Sequence, residues 1–217
     1  MVGKEPLVFR TYMKDASPRA IVVGNPEMVH VAFDANVVRM AKAWRGRFWD
    51  PSGTWTGRSG DFNEPLGDHV FDMPPGPSFA TLGSPEAVWP VPVRDTRDMG
   101  GRFLGYRLDA QRRPVFRYML GETEISEVAR PKSTKAGFSL VRGFAVAKPK
   151  ANLFLQAASG KRIEKRSEEH YIVEDRFNVR LSQNIQKHAF VRTQGERQQL
   201  LIRVPQSASS FEVELRW

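Results

Sequence analysis

The amino-acid sequence predicts an all-β chain: an antiparallel β-sandwich, or a larger supersandwich, broken by one long loop rich in glycine, proline and aromatic residues. Two observations carry this reading. Short segments alternate apolar and polar side chains with the period of two that a pleated strand imposes. These segments recur about every ten residues with turn-forming residues between them, the spacing of a sandwich or barrel. At 217 residues, 41% hydrophobic and 26% charged, the chain has the length and composition of one folded β-domain. Residues 1–217 are therefore read as a single unit.

In chain order, the first clear element is the apolar run Ala20-Ile21-Val22-Val23, followed by Val29–Phe33. Residues 34–48 admit two readings. One is a helix capped by Asp34, with Val37, Val38, Met40, Ala41 and Trp44 on one face. The other is a hairpin with Val29–Phe33 as one strand, Asp34-Ala35-Asn36 as the turn and Val38–Phe48 as the return. An internal echo favours the hairpin. Phe33-Asp34-Ala35-Asn36 resembles Leu108-Asp109-Ala110-Gln111, and each leads from a strand into a basic return segment.

Residues 50–100 read as a long irregular loop. Pro74, Pro75, Gly76, Pro77, Pro85, Pro90 and Pro92 punctuate it, and it holds Trp55, Phe62, Phe71, Phe79 and Trp89. A loop this aromatic is expected to pack on the body of the domain and to border a cleft.

The second half is plainer. Phe103–Leu108 and Val115–Gly121 flank a polar turn ending at Pro114, which is a hairpin signature. Strands are expected over 138–147, 152–158, 170–174, 176–182, 187–193, 198–204 and 210–217. Phe177, Val179 and Leu181 alternate with Asn178 and Arg180. Arg142, Arg176, Arg180, Arg192, Arg203 and Arg216 are expected to point outward from solvated sheet faces.

Composition narrows the function classes. The chain has no cysteine, which removes disulfides, thiol nucleophiles, Cys-ligated metals and covalent c-type haem. No cofactor and no metal are expected. The apolar runs fall far short of the roughly 18 residues that cross a bilayer, so no membrane span is expected. Met1–Pro6 has no apolar h-region, so no signal peptide is expected there. The net charge is +9, and all of it lies in residues 110–217, with 20 Lys/Arg against 11 Asp/Glu; residues 1–109 balance at 13 each. Such asymmetry fits either solvated strand faces or a polyanion-facing surface. Nucleic acid is not an expected partner.

No nucleophile elbow, phosphate loop or metal-binding helix motif is present. The four histidines, His30, His69, His170 and His188, lack metal-ligand spacing. His69 stands in the oxygen-rich run Asp61–Asp72, a type of loop that can bind a hard cation such as calcium. Its spacing does not match an EF-hand, and Asp and Asn also cap turns locally, so the turn reading comes first. The aromatic group Trp44, Phe48, Trp49 and Trp55 reads first as packing. Its alternative is a stacking platform for sugar rings at Trp49 or Trp55, with Arg45, Arg47, Arg58, Asp50 and Asp61 as hydroxyl partners. The ligand-binding expectation is Trp49, Trp55, Arg47, Arg58, Asp61 and His69.

Several phrases also carry a resemblance. They are Arg19–Gly24, Val31–Asp34, Ala43–Phe48, Gly53-Thr54-Trp55, Pro65–Asp68, Leu104–Asp109 and Pro114–Tyr118. The stretch over about residues 7–181 resembles a cysteine-free β region of large secreted multidomain proteins of planctomycete and verrucomicrobial type. Those proteins often carry a c-type haem domain or a sugar-dehydrogenase-like propeller. The resemblance implies an extracytoplasmic, periplasmic or secreted setting and a neighbouring haem or dehydrogenase domain as partner, and it brings no catalytic residues.

The expectation for function is a non-catalytic accessory module that binds a glycan or a partner domain. One alternative is a carbohydrate-active β-sandwich enzyme, mutarotase-like or lyase-like, that would use His69 or His30 with a carboxylate. A second is a polyanion binder that would use the basic second half.

Overall fold

A computed structural model describes residues 2–52, 63–92, 94–134 and 137–217. Among these the chain is almost wholly β, and every named strand pairing is antiparallel. Strands β1 (Leu7–Thr11), β2 (Ala20–Gly24), β3 (Val29–Asp34), β4 (Arg39–Arg45) and β5 (Asp68–Asp72) form a five-stranded sheet in sequence order. Strands β7 (Gly101–Leu108), β8 (Pro114–Leu120), β9 (Thr123–Thr134) and β10 (Gly137–Val146) form one side of an eight-stranded sheet. Strands β12 (Ile163–Lys165), β13 (His170–Val173), β14 (Phe177–Leu181) and β17 (Ser210–Arg216) complete it, in the order β12-β13-β14-β17-β10-β9-β8-β7. Strands β15 (Ala189–Gln194), β16 (Arg197–Arg203), β11 (Leu153–Gly160) and β6 (Phe79–Thr81) form a four-stranded sheet in that order. Short 3₁₀ turns cover Arg97–Met99 and Gln183–His188. No helix among the described residues is long and apolar enough to cross a membrane.

The two smaller sheets both pack on the inner face of the large one. Aromatic contacts fix the seams. Phe33 of β3 stacks on Phe116 of β8 at 4.1 Å. Phe71 of β5 meets Phe177 of β14 edge-on at 4.3 Å, and Phe79 of β6 meets Phe144 of β10 at 5.3 Å. One core cluster draws on all three sheets. Strands β2 and β3 are buried along their whole length. Ile21, Val23, Val31 and Phe33 feed the inner core, while Ala20, Val22 and Ala32 face an outer layer of Met13, Trp44 and Trp49. A strand covered on both faces shows a continuous apolar run instead of alternation, as Ala20–Val23 does.

Residues 34–48 form the hairpin and not the helix. Asp34 does cap, but it caps a turn. Its Oδ1 accepts the Asn36 and Val37 backbone N–H groups at 2.9 and 3.2 Å and the Ser17 hydroxyl at 2.5 Å. The echo at Asp109 holds in geometry. Its Oδ1 accepts the Gln111 N–H at 2.9 Å in the β7–β8 turn, two residues on, as at Asp34.

Two expectations are corrected. The stretch 50–100 is not one loop, because β5 and β6 lie within it. They are short strands held by tertiary pairing, β5 on β4 and β6 on β11. Arg142, expected to face outward, is 1% exposed on the inner face. It pairs there with Glu127 of β9, which is 0% exposed.

Candidate functional site

The residues singled out in sequence do not assemble into one site. Trp49 is 8% exposed and wedged between Phe9 and Phe48, at ring distances of 6.1 and 6.0 Å. It packs the outer layer of the five-stranded sheet and offers no open face for stacking. Arg47 and His69 are exposed near one corner of that sheet, where Arg45 pairs in register with Asp68. The Arg47 carbonyl accepts the Trp44 indole N–H at 3.1 Å, and the His69 carbonyl accepts that of Trp217. Trp55, Arg58 and Asp61 lie outside the described residues.

The acidic run is dispersed where it is described. Glu64 pairs with Lys14 at 2.8 Å, and Asp72 pairs with the buried Lys42 at 2.5 Å. The described residues include no group of three or more His, Cys, Asp or Glu placed to hold a metal ion.

His30 is fully buried. Its Nδ1 accepts the Asn25 backbone N–H at 3.0 Å, and its Nε2 lies 2.8 Å from the Gly46 carbonyl oxygen. The first contact requires a lone pair on Nδ1, so the proton sits on Nε2 and the ring is neutral. Burial pushes its pKa below the ordinary histidine value, against the carbonyl hydrogen bond. With both nitrogens engaged by backbone, His30 has no free position for proton transfer.

Two open clefts lie on either side of a strap formed by residues 82–92 and 94–99. Leu82 and Trp89 pack on Ala80, Phe154 and Leu201 of the four-stranded sheet, so this part of the aromatic-rich stretch packs on the body of the domain, while Trp55 and Phe62 lie outside the described residues. Trp89 donates its indole N–H to the Pro77 carbonyl at 3.2 Å. Gly76 makes that approach possible: a Cβ there would lie 2.4 Å from the Pro90 oxygen, and its φ of +85° suits glycine.

Arg192 of β15 clips the strap to the sheet. Its Nη1 donates to the Pro85 and Ala87 carbonyls at 2.5 and 2.6 Å, and its Nε donates to Gln199 at 2.9 Å. Its Nη2 donates to Gln194 Oε1 at 3.0 Å, and that oxygen also accepts the Trp89 backbone N–H. Burial draws the Arg192 pKa down, with Glu86 opposing.

Between the clipped strap and β15 lies a groove of about 610 Å³. Its floor holds Phe154 and Phe190, set edge-to-face at 6.3 Å. Glu86, Lys187, His188, Thr193 and Arg203 stand around that floor. Sequence reading found the strand but missed the groove. Phe190 and Arg192 share a face, so the strand carries no clean apolar-in, polar-out signal.

Across the strap lies a second cleft of about 630 Å³, walled by Asp15–Arg19, by the β3–β4 turn and by strap residues Val91, Pro92, Arg94, Asp95 and Arg97. Its walls are tied together. Thr96 donates its backbone N–H and its hydroxyl to the Asn36 carbonyl at 3.1 and 3.2 Å. Arg39 donates to the carbonyls of Met73, Pro74 and Asp15 at 3.2, 2.9 and 2.6 Å.

A family model described as a domain of unknown function, DUF6797, matches residues 31–127. The matched stretch is similar to that family over β3 to part of β9 and takes in the strap and most of the second cleft, but ends before β15. No curated protein matches the chain.

Proposed function

We propose that this chain is a non-catalytic accessory module that binds a glycan through the groove floored by Phe154 and Phe190, within an extracytoplasmic multidomain protein. The observation that carries this reading is the groove itself, with the half-buried Phe190 ring on its floor, hydrogen-bonding side chains around it and a wall formed by a strap that two Arg192 hydrogen bonds, to the Pro85 and Ala87 carbonyls, hold in place. A pyranose ring has an apolar C–H face and a rim of hydroxyls. An aromatic ring beside Arg, Glu and Thr side chains complements both. The volume lies within the roughly 300–1,000 Å³ common to small-ligand sites. The extracytoplasmic setting is supported by the resemblance to secreted multidomain proteins alone.

The enzymatic alternative has less support. His30 is closed off by backbone partners, and His69 makes no ion pair with a carboxylate among the described residues. Packing against a partner domain is favoured by one specific feature: Val88 and Val91 on the strap are 72% and 59% exposed. Titration of the chain with soluble oligosaccharides, and its depletion by insoluble polysaccharides, tests the proposal. Saturable binding to one sugar class, lost in Phe190→Ala with the melting temperature kept, is the expected result. No binding to any sugar class would overturn it and leave the partner-domain reading in front.

A further inference from the structure

The cleft on the far side of the strap has a different chemistry, and its assignment does not depend on the glycan reading. Four arginines, Arg19, Arg39, Arg94 and Arg97, line it together with Asp15, Asp34 and Asp95. The acids are already engaged. Asp95 holds the Arg97 guanidinium at 2.6 and 2.9 Å and the Arg97 backbone N–H at 2.9 Å. Asp15 reaches Lys42 at 3.2 Å. Asp34 is 2% exposed and spends one oxygen on two backbone donors of its turn and on the Ser17 hydroxyl. Two cations remain. Arg19 on the β1–β2 connection and Arg94 on the strap are both exposed, and neither makes a direct ion pair among the described residues. Arg19 adds only a longer-range contribution to Asp95, whose carboxyl pKa is held down first by the Arg97 hydrogen bonds. Arg39 adds a buried Nε–H without a partner among the described residues.

From this arrangement we propose that the cleft is a binding site for an oxyanion, a carboxylate, sulfate or phosphate group, received by Arg19 and Arg94 from its opposite walls. Planar guanidinium forks match the paired oxygens of such groups better than any other side chain. The walls are tied by Thr96 and Arg39 before any ligand arrives, so little ordering is left to binding. The local excess of positive charge lies in the half of the chain whose charges balance overall. It is therefore distinct from the general basicity of residues 110–217.

The group can come on a saccharide or free in solution. Titration of the full chain with glucuronate, glucose, sulfate and phosphate, at ionic strength held constant with sodium chloride, separates the sources. Backbone amide chemical shifts provide the readout. Saturable binding of the oxyanions but not of glucose is expected. It should weaken about tenfold or more in the Arg19→Ala/Arg94→Ala variant and persist in an Arg102→Ala/Arg107→Ala control on the edge of the large sheet. Tighter binding of glucuronate than of sulfate assigns the saccharide source, and the reverse order assigns the free anion. Absence of saturation, or equal weakening in both variants, would overturn the proposal, because either result reduces the effect to non-specific charge. Phe190→Ala should leave this titration unchanged, so failure here and failure of the glycan groove are separable.

Discussion

Arg142 and Arg130 stand on the two faces of the same eight-stranded sheet, and each holds a glutamate. Their surroundings separate them. Arg142 and Glu127 have side-chain exposures of 1% and 0%; Arg130 and Glu212 have 35% and 53%. The buried pair is satisfied from every side. Arg142 donates from Nε to Glu127 at 2.9 Å and from Nη2 to Ser78 at 3.1 Å, and its guanidinium lies 5.0 Å over the Phe144 ring. Tyr118 donates its hydroxyl to the other Glu127 oxygen at 3.2 Å. Burial first, then the Glu127 charge, pushes the Tyr118 pKa well above its ordinary value, so the phenol remains a donor. The surface pair has water as its alternative partner. The same ion-pair chemistry therefore specifies the interior in one place and has little energetic weight in the other.

Substitutions that break this comparison should differ sharply in cost. Glu127→Ala leaves a buried guanidinium without its counter-charge and should destabilise the fold by about 3–5 kcal/mol in denaturant titration. The double change Glu127→Leu with Arg142→Met should be milder than either single loss, since no unpaired charge remains. A double change that costs the sum of both singles would show that the two side chains are not coupled.

A smaller effect is expected at His30, the buried neutral group of the outer layer. Its folded pKa lies below its unfolded value of about 6.5. As pH falls below about 6.5, the unfolded chain takes the proton first, so the stabilising contribution is complete above that pH and is lost as pH falls through the folded value. His30→Gln should flatten this part of the stability profile, read as the difference between the two proteins from pH 7.5 to 5. Parallel profiles would contradict the burial argument. The smallest effect belongs to Arg130→Ala, which should change stability by only about 0–1 kcal/mol and less still at high salt.

The same contrast shows how far the sequence could be read. Strands with apolar residues inside and polar residues outside, such as Phe177–Leu181, were legible from alternation. Strand β9 was not, because its inward position 127 is a glutamate and its outward position 128 is a valine. Arg142 looked like every other strand arginine, and only the side chain across the β9–β10 pair makes it an interior residue. The aspartate-capped turns at Asp34 and Asp109 were legible because their cap acts over two residues. The groove was not legible, since its wall is tied by hydrogen bonds between residues 105 and 107 positions apart. The tryptophans drew attention to Trp49, but clustering in sequence reports packing as readily as exposure, and the ring on the floor of the groove is the half-buried Phe190, set over the buried Phe154.

The central claim is that Phe190, and not Trp49, presents the ligand-binding ring. Titrating Phe190→Ala and Trp49→Ala against the same sugar, with a melting curve for each, tests it most directly. Trp49→Ala should lose about 3–5 kcal/mol of stability from the cavity it opens while its folded fraction keeps wild-type affinity. Phe190→Ala should keep its fold and lose the sugar. Sugar binding retained in Phe190→Ala and abolished in folded Trp49→Ala would contradict the account.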